Sequence, residues 1–387
     1  MAMFLTALLG SIFILFPFLP TIWLAPRLWR FFCDRFVGFW LSFPVAIVDM
    51  VYGAEVRLSG DAILADHPAL IIMNHRTRLD WMFFWSALYK MDPWLLLSEK
   101  ISLKAVLRKL PGVGWGMESN GFIFLDRSWE QDQHVLKDAI KYYKAIQKPY
   151  QLLLYPEGTD MCPKSRARME AYCTRTGLPV YQHVLHPKTT GLCHLLSTMR
   201  DLDYVDYVYD VTVAFGDRIV QTEVDFALGN CSQDVHFHVQ RIPIHQLPSQ
   251  DEAVVSWVKD LWEAKEAILE DFHADCPDQR SLANAVSRHR ARLASLTNNC
   301  SSHHAANHKH NFKVVEWERG WSGRQAAGLW VSLCFWLVTT GVWGLFAWQL
   351  LPMRLYLLLA VIGFLAAQRF AGGIDRVAVR AALQNPS

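Results

Sequence analysis

The chain opens on 22 residues, Phe4 to Ala25, of which only Thr6, Ser11 and Thr21 are polar. About 20 such residues suffice to span a bilayer as a helix, and few other folds can hide so much apolar surface in one piece. A secretory leader would have a shorter apolar core, basic residues ahead of it and a small-residue cleavage site behind. Here Arg27, Arg30 and Arg35 come after the run, and Pro17 and Pro20 lie within it. A retained anchor is expected. A second stretch, Phe36 to Tyr52, carries Pro44 and Asp49 and is compatible with an interfacial, re-entrant or crossing placement. Near the other end, Ala326 to Trp348 is long enough to span, and Leu355 to Ala367 is short for a span; a hairpin with its tip near Pro352 is expected.

Sidedness is set by the basic residues. No Lys or Arg precedes the first run, whereas Arg27, Arg30 and Arg35 follow it and Arg369, Arg376 and Arg380 follow the last. The positive-inside rule places the chain beyond residue 26, with its central domain, in the cytosol, provided Phe36–Tyr52 does not cross. An integral protein of the endoplasmic reticulum is the expectation. The sequons at Asn230 and Asn299 would then go unmodified. Eight cysteines without C-x-x-C spacing read as free thiols in a reducing compartment. A net charge of +2 gives no reason to expect nucleic acid.

Residues 1–54 thus read as anchor and interfacial segment, and 55–275 change character. Short apolar runs at Ala69–Met73, Trp94–Leu97, Phe122–Leu125, Leu152–Tyr155, Tyr207–Ala214 and Val235–Ile242 predict strands. Between them, Ser128 with Gln131 predicts a capped helix, and Ser249 with Glu252 another bearing Val254, Val258, Leu261, Ile268 and Phe272 on one stripe. Strands alternating with helices indicate an α/β domain. Residues 276–324, with His303, His304, His308 and His310, read as a polar linker, and 325–387 as the membrane hairpin with a short tail.

Four segments carry chemistry. In Ile71-Ile72-Met73-Asn74-His75-Arg76-Thr77-Arg78-Leu79-Asp80, an apolar strand delivers Asn74 and His75 to its tip. A histidine there can accept a proton near neutral pH, and a carboxylate on its other nitrogen would fix the tautomer. Five residues do not share one helix face, so the pair requires His75 in the turn and Asp80 in the first helical turn. In Leu152-Leu153-Leu154-Tyr155-Pro156-Glu157-Gly158-Thr159-Asp160 a second strand ends in a glycine turn followed by Lys164, Arg166 and Arg168. Gly121-Phe122-Ile123-Phe124-Leu125-Asp126-Arg127 ends in a guanidinium suited to phosphate, though a surface ion pair would look the same. His183-Val184-Leu185-His186-Pro187-Lys188-Thr189 is a short strand closed by Pro187. Gly112-Val113-Gly114-Trp115-Gly116 lacks the spacing of a dinucleotide turn, and His236 with His238 lack a third ligand, so no metal is expected.

In their order and spacing these segments resemble the glycerolipid acyltransferase family, which includes the 1-acylglycerol-3-phosphate acyltransferases. Met73–Arg78, Tyr155–Asp160 and Val184–Pro187 are most similar to the lysocardiolipin acyltransferases, as are Gly10–Phe13 and Phe16–Pro20. The resemblance covers roughly residues 8 to 270. It implies an α/β domain with a mixed sheet flanked by helices, plus N- and C-terminal membrane helices. It implies His75 and Asp80 as catalytic pair, and Asn74, Gly121, Phe124, Arg127, Glu157, Gly158, Thr159 and Pro187 as substrate-binding. Acyl-CoA would be co-substrate, with no bound cofactor, and an anionic lysophospholipid in the bilayer the acceptor. Alternatives are phosphatidic acid synthesis, CoA-independent transacylation, or a non-catalytic lipid-binding protein of this fold. Asp160 stands where many members carry Arg, which weakens the case for phosphatidic acid synthesis.

Overall fold

The structure, a computed structural model, describes residues 1–300, 314 and 316–384, the side chains of 297–300 excepted. The linker histidines His303, His304, His308 and His310, and the Asn299 side chain, lie outside the described residues.

Among the described residues, seven strands form one sheet: β1 (Glu55–Gly60), β2 (Ala69–Met73), β3 (Glu99–Lys104), β4 (Ile123–Leu125), β5 (Gln151–Leu154), β6 (Tyr207–Phe215) and β7 (Asp234–Pro243). Their order is β1-β7-β6-β2-β5-β3-β4. Of these strands only β6 and β7 pair antiparallel; all other neighbours are parallel. The expected mixed sheet is observed. In β2, Ala69, Leu70, Ile71, Ile72 and Met73 are all fully buried, as a central strand covered on both faces requires. Because β2, β5, β3 and β4 are mutually parallel, their C-terminal ends share one edge of the sheet. The turns after β2, β4 and β5 hold the first three sequence motifs.

Three strands differ from expectation. His183–His186, read as a short strand closed by Pro187, lies in the irregular connection between the helices Pro163–Thr176 and Thr189–Asp201. Trp94–Leu97 is not a strand: a turn at Pro93–Trp94 leads into a short helix, Leu95–Ser98. The strand comes next, at Glu99–Lys104, where buried charged Glu99 and Lys100 mask the apolar signal. β1 was not anticipated: Glu55-Val-Arg-Leu-Ser-Gly alternates polar and apolar, but with only two large apolar residues, Val56 and Leu58, it forms no apolar run. The helix Trp129–Ala145 begins after Ser128, yet the Ser128 side chain makes no cap. Asp132 instead accepts the Asp126 N–H at 2.8 Å. The helix Asp251–Ala274 buries Val254, Val258 and Phe272 as expected, and adds Trp262, Lys265 and Leu269. Part of the segment read as linker is helical, Leu282–Cys300, and buries Leu282, Ala283, Ala285 and Val286.

Among the described residues, three helices are long and apolar enough to cross a membrane: Pro26–Val51, Gly323–Gln349 and Leu351–Ala371. The last two are joined at Leu350, and the second, Leu351–Ala371, is longer than the Leu355–Ala367 segment that read as short for a span. At the N-terminus the expectation is corrected. Phe4–Ala25 is no single span; Pro17 and Pro20 interrupt it, leaving Ala2–Phe18, shorter than a span, followed by a one-turn helix at Thr21–Leu24. Phe36–Tyr52 is not a separate element but the larger part of the Pro26–Val51 helix. Of that helix's apolar window, 61% is buried inside the protein, against 22% and 11% for the hairpin helices. Its Arg30 is fully buried against Asp34 at 2.9 Å. Lys100 and Tyr150 share Asp34 at 3.2 and 2.6 Å, tying this helix to the sheet. The Ala2–Gly10 helix packs on Gly112, where φ is +76° and a Cβ would lie 2.3 Å from Leu8 Cα.

Candidate active site

β2 ends at Met73 and the chain turns through Asn74 and His75 into the helix Asp80–Met91. Asp80 is its first residue, so the five-residue spacing becomes a short distance: His75 Nδ1 lies 3.0 Å from Asp80 Oδ2. Asp80 is fully buried. Thr77 holds it, donating from its N–H to both carboxylate oxygens (3.1 and 3.0 Å) and from Oγ1 to Oδ1 (3.1 Å). A carboxylate at a helix N-terminus also gains from the partial positive charge there. The His75 ring is 16% exposed. Its Nε2 has no protein partner among the described residues. One face of the ring stacks on Tyr155, with centroids 4.0 Å apart and planes at 24°.

Glu157 is only 2% exposed and ties three segments together. Its Oε1 accepts from the His75 N–H (3.1 Å) and Trp262 Nε1 (3.2 Å), and Oε2 from the Leu185 N–H (3.2 Å). Burial pushes its carboxyl up to about 7, opposed by the His75 charge and these donors. Lys188 N donates to Pro156 O at 2.8 Å, so the block around Pro187 joins the same turn. Arg127, just beyond the end of β4, donates from Nη2 to Gly158 O at 2.9 Å. It does so with φ +65°, a left-handed conformation costly for a non-glycine residue. The exposed Gly158 also has φ +72°, and the position of its missing Cβ is 3.5 Å from Lys188 Nζ. Arg127 and Lys188 therefore flank one glycine turn. Asp160 is buried, with Oδ2 3.7 Å from Arg78 Nε.

The residues singled out in the sequence are thus not equivalent. His75 and Asp80 pair, and Arg127, Gly158, Thr159 and Pro187 lie on the neighbouring turns. Asn74 does not face a cleft: its amide exchanges two hydrogen bonds with the Val213 backbone, at 3.1 and 2.8 Å, extending the β2–β6 ladder. Glu157 has both oxygens taken by protein donors. Phe124 is 1% exposed beneath Arg108, whose guanidinium is 4.7 Å from its ring centre. Gly121 ends the helix Val113–Asn120 with φ +75° and lies against Arg30. Lys188, Tyr155 and Trp262 were missed as site residues. Trp262 sits four positions after Val258, so the helical period marks it as inward; its role as a donor appears only in three dimensions.

Beside this site lies an apolar cavity of about 560 Å³. The Asp80–Met91 helix and the residue before it supply Leu79, Trp81, Met82 and Trp85; the membrane-length helices supply Trp40, Phe43, Leu333 and Trp336.

Fold and site together define a class: an α/β enzyme built onto membrane helices. The acyltransferase family model matches residues 55–216, and the acyltransferase C-terminus model residues 227–298. The chain belongs to the acyltransferase family. It is 42% identical over 272 residues to lysocardiolipin acyltransferase 1 of Gallus gallus, covering 70% of this chain and 71% of that one. Against lysocardiolipin acyltransferase 1 of Danio rerio the identity is 36% over 371 residues, 96% and 92% of the two chains. Lysophosphatidylinositol acyltransferase 10 of Caenorhabditis elegans is 46% identical over 248 residues, 64% of this chain and 63% of that relative's length.

Proposed function

We propose that the protein transfers a fatty acyl group from acyl-CoA to a free hydroxyl of an anionic lysophospholipid, lysocardiolipin or a related lysolipid. The observation that carries this is the His75–Asp80 pair, 3.0 Å apart at the end of a buried strand, with His75 Nε2 left open. His75 Nε2 takes the proton of the lysolipid hydroxyl as its oxygen attacks the thioester carbonyl carbon. The carbon–sulfur bond then breaks, and His75 returns the proton to the departing CoA thiolate. Asp80 holds Nδ1–H and stabilises the imidazolium between these steps. No covalent acyl-enzyme is needed, which leaves the cysteines without a role.

Arg127 and Lys188, on either side of Gly158, are the cations placed to take the lysolipid phosphate. Thr159 and Pro187 shape that turn, and Glu157 braces it. The apolar cavity beside Asp80 suits an acyl chain, because it is walled by Trp and aliphatic side chains. A domain on the cytosolic face of the endoplasmic reticulum would meet the cell's acyl-CoA there, and that placement is part of the proposal. The test is acyl transfer from labelled acyl-CoA to a panel of lysolipids in purified membranes. His75→Ala and Asp80→Asn should each lose about 10²–10⁴-fold in turnover while remaining membrane-bound. Near-normal turnover in either variant refutes the mechanism, and transfer without acyl-CoA refutes the donor.

A further inference from the structure

We propose that Tyr155 is a positioning residue for His75, whose aromatic face orients the imidazole and stabilises the imidazolium formed during acyl transfer. The inference rests on His75 acting as the base. Its observation is the stack: ring centroids 4.0 Å apart and planes 24° from parallel. Asp80 fixes the ring at one atom, Nδ1, and a single hydrogen bond tolerates some rotation of the ring about the Cβ–Cγ bond. A flat neighbour across one face removes the rotation and aims Nε2 outward. The π face of an aromatic ring also attracts a cation, so the ring favours His75 once it has gained the substrate proton.

The Tyr155 hydroxyl is not the working part. It is buried and has no hydrogen-bond partner among the described residues. Burial, with the Asp80 and Glu99 carboxylates nearby, keeps the phenol protonated well above its ordinary range. Tyr155 is held by its place in the chain: it follows Leu154, which pairs with Ile72 of β2, and precedes Pro156, which restricts its backbone to extended conformations. The charged groups around the imidazole are Asp80 from the following helix, Glu157 from the turn after β5, and Arg76 of its own turn, with the Arg78–Asp160 pair beyond. All of these remain when Tyr155 is changed, so a shift in titration reports on the ring.

The experiment compares Tyr155→Phe and Tyr155→Leu with the wild-type full-length protein in lipid nanodiscs. The readout is kcat/KM for lysolipid against pH, with His75→Ala alongside. Tyr155→Phe keeps the ring and should stay within about 3-fold of wild type, with its acid limb unmoved. Tyr155→Leu should lose about 3- to 30-fold at the plateau, the range of a cation–π contact. Its acid limb should move to lower pH by about half a unit to one unit, because the imidazolium has lost its support. A Leu variant whose activity falls with an unmoved limb overturns the proposal, as does a Phe variant as impaired as Leu. A Leu variant equal to wild type, beside an inactive His75→Ala, overturns this role and leaves the base intact. Full turnover in His75→Ala removes the base itself, and this role with it.

Discussion

Replacing Glu157 by Gln changes one carboxylate oxygen to NH2 and leaves the shape of the side chain alone. The amide oxygen can take over the two donors now on Oε1, the His75 N–H and Trp262 Nε1. The NH2 group then faces the Leu185 N–H, donor against donor, at a site that is 2% exposed. A hydrogen bond to a charged group is worth about 1.5–3 kcal/mol, and an unsatisfied buried donor costs about 1–3 kcal/mol; these overlap, and the burial that pushes the Glu157 carboxyl up to about 7 offsets part of them, so roughly 2–4 kcal/mol is the upper bound. For a domain of this size that is about 5–15 °C in melting temperature. Turnover should fall as well, since the same carboxylate fixes the backbone of His75, while KM for lysolipid should change little. Thermal melting in detergent and steady-state kinetics on the same preparation read both. A variant with unchanged melting temperature and a selectively raised KM for lysolipid would refute the brace and put the carboxylate on the substrate.

Arg127→Gly relieves the φ +65° backbone, and should raise stability by about 1 kcal/mol while raising KM for anionic lysolipids by about 10-fold; Arg127→Lys should restore KM only in part, because a point charge lacks the planar fork. Burial pushes Glu99 up to about 8, so between its ordinary value and pH 8 the folded state holds a proton that the unfolded chain has released, and stability falls as pH rises, by up to about 1.4 kcal/mol per unit. Glu99→Gln should therefore gain on wild type from pH 5 to pH 8, and a melting difference independent of pH would contradict this. Asn230 is exposed and should carry no glycan, with the central domain digested by protease added to sealed microsomes; glycan at Asn230 would put the domain in the lumen.

The α/β class, the order of motifs and the C-terminal hairpin were legible in the chain itself, because apolar runs and their spacing record which segments must leave water. So was the His75–Asp80 pair, since a strand tip followed by a helix start brings positions five apart together. Three kinds of feature were not legible. Charged residues that end up buried, Arg30, Glu99 and Lys100, read as solvent-exposed in one dimension; Arg30 pairs with Asp34 inside the protein, and Glu99 with Lys100 hid β3. A proline inside an apolar run does not say whether the helix bends or ends, and at Pro17 and Pro20 it ended what had looked like a span. Side chains with the right chemistry for a ligand can be spent on the protein, as Asn74 is on Val213 and Glu157 on His75, Leu185 and Trp262. Residue type and spacing determine what a side chain is able to bind. Which donors reach it first is decided by segments 28 to 139 residues away, and only the folded sheet with the helices packed on it brings those donors within about 3 Å of it.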